Sequence, residues 1–154
     1  MSQPAHVLIV EARFYDDIAD ELARGAIAEI EARGGTYDRI AVPGAFEIPA
    51  AIGFAVEAMV DSAEARHYDA FVALGCVIRG ETTHYDYVCG ESARGLMDLS
   101  LQHDVAIGYG ILTCENREQA MQRARVDAGN KGAAAAHAAL RMADLKIQFG
   151  LAPR

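Results

Sequence analysis

The sequence predicts an α/β fold: a parallel sheet of about four strands covered by helices on both faces. Two observations carry this. Short apolar runs alternate along the chain with segments whose apolar residues recur at helical spacing. The runs themselves are nearly continuous in apolar residues, as expected of parallel strands buried on both faces. No linker, repeat or low-complexity stretch divides the 154 residues, so residues 1–154 read as one domain.

The elements follow in order. His6-Val7-Leu8-Ile9-Val10 is the first strand. Ile18, Leu22, Ala26 and Ile30 repeat at helical spacing, and Gly34-Gly35 stops that helix. Arg39-Ile40-Ala41-Val42 is a second strand, ended by the turn at Pro43-Gly44. A second helix starts near Pro49, because proline is tolerated in a first helical turn, and runs through Ile52, Val56 and Val60. Ala70-Phe71-Val72-Ala73-Leu74, with Val77 and Ile78, is the clearest buried strand. A loop over residues 79–83 and a helix over residues 84–101 follow. Residues 105–112 form a fourth strand and residues 118–125 a short helix. After Gly129, an alanine-rich helix carries Ala136, Leu140, Ala143 and Ile147 on one face. It has too few heptads for a coiled coil.

Composition narrows the function. The chain is 52% hydrophobic and 23% charged, enough apolar surface to fold. Its net charge of −8 makes it a poor non-specific partner for nucleic acid or anionic lipid. No apolar stretch approaches the roughly 20 residues of a membrane helix. The N-terminus lacks the basic region of a signal peptide. Three cysteines, Cys76, Cys89 and Cys114, fit a reducing cytoplasm rather than a disulfide framework.

Open parallel sheets collect ligands beyond the carboxyl ends of their strands. The segments there are Glu11-Ala12-Arg13-Phe14-Tyr15, Pro43-Gly44-Ala45-Phe46-Glu47, Gly80-Glu81-Thr82-Thr83-His84 and Thr113-Cys114-Glu115-Asn116. The common nucleotide signatures fail. Gly108-Tyr109-Gly110 lacks the third glycine of a dinucleotide fingerprint. Gly129-Asn130-Lys131-Gly132 lacks the order of a phosphate loop and follows no strand. No zinc-ligand spacing occurs.

The loop before the third helix is the best anion candidate. Gly80 permits close backbone approach, and the first amides of a helix favour an anion. Thr83 with Asp86 has the spacing of a capping box. Thr82 and Thr83 either serve an anion or only cap the helix, and the Glu81 carboxylate opposes a phosphate unless it turns outward. His84 is either a surface residue of a first turn or a proton carrier, since imidazoles exchange protons near neutral pH. Arg123 clamps a phosphate or is merely solvated, and Lys131 has a turn reading. Phe14 and Phe46 either stack on a flat ring or anchor their loops. Cys76 reads as a small core residue at a strand end rather than a nucleophile.

Three stretches together carry a resemblance. Pro43-Gly44-Ala45-Phe46-Glu47-Ile48-Pro49, Gly75-Cys76-Val77-Ile78-Arg79-Gly80-Glu81-Thr82-Thr83-His84-Tyr85-Asp86-Tyr87-Val88 and Gly129-Asn130-Lys131-Gly132 resemble the 6,7-dimethyl-8-ribityllumazine synthase family, over about residues 7–149. The resemblance implies a flavodoxin-like three-layer α/β/α sandwich and a homopentamer with active sites between neighbours. Decamers and larger shells also occur in the family. The implied reaction condenses 5-amino-6-(D-ribitylamino)uracil with 3,4-dihydroxy-2-butanone 4-phosphate, releasing phosphate and water, without metal or organic cofactor. This is the penultimate step of riboflavin biosynthesis. Both partners in that reaction are small molecules; nucleic acid and membrane have no part in it.

By the same resemblance, Phe14 stacks on the pyrimidine. Ala45, Phe46 and Glu47 hold the ribityl chain and ring, and Cys76, Val77 and Ile78 line the pyrimidine pocket with backbone groups. Gly80, Glu81 and Thr82 form the phosphate loop, and His84 transfers protons. Tyr109, Arg123 and Lys131 come from the neighbouring subunit, Arg123 to bind the phosphate. Tyr109 stands where many members have phenylalanine; it keeps the ring and adds a hydroxyl.

Two rivals use the same scaffold. A non-enzymatic flavin or lumazine carrier would keep Phe14 and the ribityl pocket, but has no need of the phosphate loop or Arg123. An FMN electron carrier rests on fold analogy alone. The segment over residues 11–15 lacks the Ser/Thr/Gly character of a flavodoxin phosphate loop.

Overall fold

Strands and helices alternate in the computed structural model, which describes residues 4–151. The Met1-Ser2-Gln3 part of the N-terminal reading lies outside the described residues. The elements are β1 (His6–Ala12), α1 (Asp16–Ala32), β2 (Thr36–Val42), a 3-10 turn (Ala45–Glu47), α2 (Ile48–Asp61), β3 (Ala70–Ile78), α3 (His84–His103), β4 (Ile107–Cys114), α4 (Arg117–Ala124) and α5 (Lys131–Gln148). The four strands form one sheet in the order β2-β1-β3-β4, and every neighbouring pair is parallel.

Side chains of β1 show how the layers arise. Val7 and Ile9 point into a core shared with α1, α4 and α5, through Leu22, Ala26, Ala120, Ala136 and Leu140. Leu8 and Val10 point the other way, to Ile48, Ile52 and Val56 of α2 and Leu96 of α3. Successive side chains of a strand alternate faces, so an uninterrupted apolar run demands cover on both sides. The result is the three-layer α/β/α sandwich of flavodoxin-like folds.

The alanine content of α5 is a matter of distance. A Cβ on Gly108 would lie 1.9 Å from the Ala135 carbonyl oxygen, and one on Gly132 would lie 2.0 Å from that of Leu22. Only small residues let α5 lie this close to β4 and α1.

The expected boundaries shift in places. β1 runs on to Ala12, because Glu11 pairs with Ala41 on one side and Leu74 on the other. β2 starts at Thr36 rather than Arg39; its polar start is tolerated on an edge strand. β4 includes Thr113 and Cys114, read above as loop, through pairing with Val77 and Ile78. Val60 and Ile147 belong to helical apolar stripes yet are 67% and 45% exposed. Each lies in the last turn of its helix, at the rim of the core. No described helix is long and apolar enough to cross a membrane.

Candidate active site

The strand order creates the site. β1 is flanked by β2 on one side and β3 on the other, so the connections leaving β1 and β3 diverge and open a crevice between their carboxyl ends. The β1–β3 ladder stops at Glu11 opposite Leu74, while β3 continues to Ile78 with only β4 beside it. The β1-facing edge of Cys76, Val77 and Ile78 is therefore free of sheet pairing.

A crevice of about 620 Å³ fills this place. Phe14 and Tyr15 beyond β1 form one wall, residues 43–47 beyond β2 a second, and Cys76–Ile78 a third. His84 and Val88 close it from α3. Eight of the residues expected at the site thus converge: Phe14, Ala45, Phe46, Glu47, Cys76, Val77, Ile78 and His84. Tyr15, Pro43, Gly44 and Val88 line it too and were not singled out. Val88 was findable, because it lies one helical turn after His84 and so shares its side of α3.

Phe14 is 74% exposed and Phe46 57%. Neither anchors its loop by burial within this chain. Phe14 touches the Tyr15 ring edge-on at 4.9 Å. Glu47 ends the 3-10 turn that leads into α2, and Pro49 occupies the first turn of that helix as expected.

Cys76 is half-buried, and burial pushes its thiol up to about 12. A raised thiol pKa disfavours the thiolate, which is the reactive form. The imidazole of His84 is exposed and, among the described residues, makes no hydrogen bond or ion pair.

Gly80, Glu81 and Thr82 form an exposed loop beyond the crevice rim. A Cβ on Gly80 would meet nothing within 4 Å, so the protein itself imposes no glycine there. The expected capping box is not made. Thr83 precedes α3 in an αR conformation with no side-chain cap bond; a capping side chain needs an extended backbone to reach the helix amides. The Thr82 hydroxyl instead accepts from the His84 N–H at 3.3 Å, and the Thr83 carbonyl accepts from the Asp86 N–H at 3.0 Å.

Arg79, adjacent to this loop, is committed elsewhere. Its Nε donates to Glu115 at 2.7 Å, its Nη1 lies 3.6 Å from Asp86, and its guanidinium covers the Tyr85 ring at 4.3 Å.

Tyr109, Arg123 and Lys131 do not line the crevice. Tyr109 faces the α3 layer from edge strand β4, 45% exposed, with its hydroxyl pKa raised by burial. Arg123 is exposed on α4, where its Nη1 donates to the Gln119 carbonyl at 3.0 Å beside a shallow hollow of about 330 Å³. Lys131 is the exposed first residue of α5. Among the described residues, no group of three His, Cys, Asp or Glu side chains is placed to hold a metal ion.

Comparisons with known proteins agree over nearly the whole chain. The family profile described as 6,7-dimethyl-8-ribityllumazine synthase matches residues 4–147. The 6,7-dimethyl-8-ribityllumazine synthase 1 of Rhizobium meliloti is 57% identical over 148 residues, 96% of this chain and 95% of that protein. The 6,7-dimethyl-8-ribityllumazine synthase of Agrobacterium fabrum is 55% identical over 150 residues, 97% of this chain and 99% of that protein. That of Azorhizobium caulinodans is 58% identical over 142 residues, covering 92% and 86%.

Proposed function

We propose, from the premise that this chain belongs to the 6,7-dimethyl-8-ribityllumazine synthase family, that the crevice at the ends of β1, β2 and β3 is its half of a shared active site. The protein is a transferase of riboflavin biosynthesis. It condenses 5-amino-6-(D-ribitylamino)uracil with 3,4-dihydroxy-2-butanone 4-phosphate to give 6,7-dimethyl-8-ribityllumazine, phosphate and water. The observation that carries the site is the convergence of eight expected residues from four separate segments on one crevice.

In this reading Phe14 stacks on the pyrimidine, and the free backbone edge of Cys76, Val77 and Ile78 hydrogen-bonds the ring. Ala45, Phe46 and Glu47 hold the ribityl chain. Gly80, Glu81 and Thr82 cradle the phosphate. An amine attacks the ketone, and protons must then move through carbinolamine, imine and elimination steps. His84, exposed at the rim, supplies an imidazole for that traffic. Holding two substrates together contributes several kcal/mol by order of magnitude, so His84 assists a reaction driven mainly by positioning.

Tyr109, Arg123 and Lys131 complete the site from a neighbouring subunit, with Arg123 at the leaving phosphate. Their separation from this chain's own crevice supports that division. The exposed apolar residues of α2 and α3, Phe54, Tyr87, Met97 and Leu101, support a homopentamer packed through this layer. Free Cys76, Cys89 and Cys114 support a cytoplasmic protein. Two cores sharing one sheet support a single domain over residues 1–154.

The test has two parts. Mixing the two substrates with the protein yields lumazine absorbance and stoichiometric phosphate. Co-folding Phe14→Ser chains with Arg123→Ala chains, each impaired at subsaturating substrate, restores activity under those conditions, because some interfaces receive both wild-type halves. No recovery in confirmed mixed assemblies places the site within one chain.

A further inference from the structure

Beneath the Phe14 loop lies a carboxylate that the mechanism above does not use. Glu11, next to last in β1, is 3% exposed. Arg39 of β2 grips it with two bonds, Nε to Oε2 at 2.7 Å and Nη2 to Oε1 at 3.0 Å. Arg13 adds a third, Nη1 to Oε1 at 2.8 Å, and its other arm bonds Asp20 of α1. Both oxygens of the buried charge are thus occupied by guanidinium donors.

Such a cluster is a poor source of stability. Apolar residues of similar volume often serve a buried position as well or better. Val7 and Ile9, on the same face of the same strand, do so here. The cluster does give direction. Arg13 immediately precedes Phe14, whose ring is 74% exposed and meets the Tyr15 ring edge-on, so the backbone that carries both residues largely sets where it stands. A planar guanidinium forked between Glu11 on the sheet and Asp20 on the helix fixes that backbone from one side. On the other side, Asp17 pairs with Arg117, and the Arg117 guanidinium lies 5.8 Å from the Tyr15 ring centre.

We propose that Glu11, acting through Arg13, is a positioning residue that sets the Phe14 ring for the pyrimidine substrate. This rests on the assignment of Phe14 made above. Steady-state kinetics with each substrate varied in turn test it, alongside melting curves. Phe14→Leu raises the pyrimidine KM and leaves the butanone phosphate KM unchanged. Glu11→Gln, which keeps the volume but loses the charge, raises the pyrimidine KM about tenfold, the effect of a lost charge-assisted bond that cuts the substrate-ready Phe14 pose to about a tenth of the population. Arg13→Lys keeps a cation but cannot fork, and shifts the same KM less, with little change in Tm.

If Phe14→Leu leaves the pyrimidine KM unchanged, the site assignment falls and this inference with it. If Phe14→Leu raises it while Arg13→Lys and Glu11→Gln do not, the inference alone is overturned. Equal changes in both KM values also overturn it, and so does a fall in Tm with neither KM altered. If Glu11→Gln does not fold, Arg13→Lys decides by the same split between the two substrates.

Discussion

The two ends of the sheet carry similar side chains and use them in opposite ways. At the amino end, His6, Thr36, Asp38, Arg66, Tyr68 and Asp69 satisfy one another. The His6 ring bonds Thr36 at 2.7 Å and Asp38 at 3.2 Å, and stacks on Tyr68 with ring centres 5.3 Å apart. Asp38 also accepts from Tyr68 at 2.8 Å and pairs with Arg66 at 2.8 Å. The cavity near that end is about 150 Å³. At the carboxyl end, the crevice is about 620 Å³, two phenylalanines stand in water, and the His84 imidazole has no partner among the described residues. The same residue types are thus satisfied within the chain at one end of the sheet and open to a ligand at the other. His6 and His84 are one residue type in two states of completion.

This contrast predicts that carboxyl-end substitutions change catalysis with little effect on stability, and amino-end substitutions the reverse. The largest effect is expected from Arg123→Ala. Losing a bond to a charged group costs about 1.5–3 kcal/mol, read as a raised KM for the butanone phosphate with the pyrimidine KM and Tm nearly unchanged. An equal rise for both substrates breaks the assignment. Next is His84→Ala, whose turnover should fall by an amount at or below the low end of the ~10²–10⁴-fold range of acid–base residues. Full activity of that variant from pH 5 to pH 9 removes His84 from the mechanism.

The smallest effect belongs to the amino end. Tyr68→Phe should lower Tm slightly, through loss of its hydrogen bond to Asp38, with kcat unchanged. The cost should also depend on pH. The Tyr68 hydroxyl, then His6 and Arg66, hold the Asp38 carboxyl below its ordinary value of 3.8. A lowered folded-state value adds stability that is present above the unfolded value and lost as pH falls through the folded one. The difference in Tm between variant and wild type is therefore full at neutral pH and shrinks below about pH 4, as thermal melts across that range would show. A change in kcat instead would erase the distinction between the two ends.

The strands and helices were legible because burial imposes a period: Ile18, Leu22, Ala26 and Ile30 are all essentially buried. Where burial weakens, so does the signal. The polar start of β2 on a sheet edge, the exposed Val60 and Ile147 in last helical turns, and the Thr83 cap that its backbone conformation forbids all escaped it. The motifs marked most residues of the crevice, but not Phe14 and Tyr15, nor the Glu11–Arg13–Arg39 cluster beneath it, whose members lie on two strands and a loop.

By itself the sequence determined the α/β class, the element order and the family, since periodicity and contiguous motifs are properties of neighbouring residues. Only the tertiary structure decided that β1 lies between β2 and β3. That order opens the crevice, leaves one edge of Cys76–Ile78 unpaired and separates Arg123 and Lys131 from the residues they are proposed to serve. Which strands pair is settled by packing between residues distant along the chain, and no local pattern of residues records it.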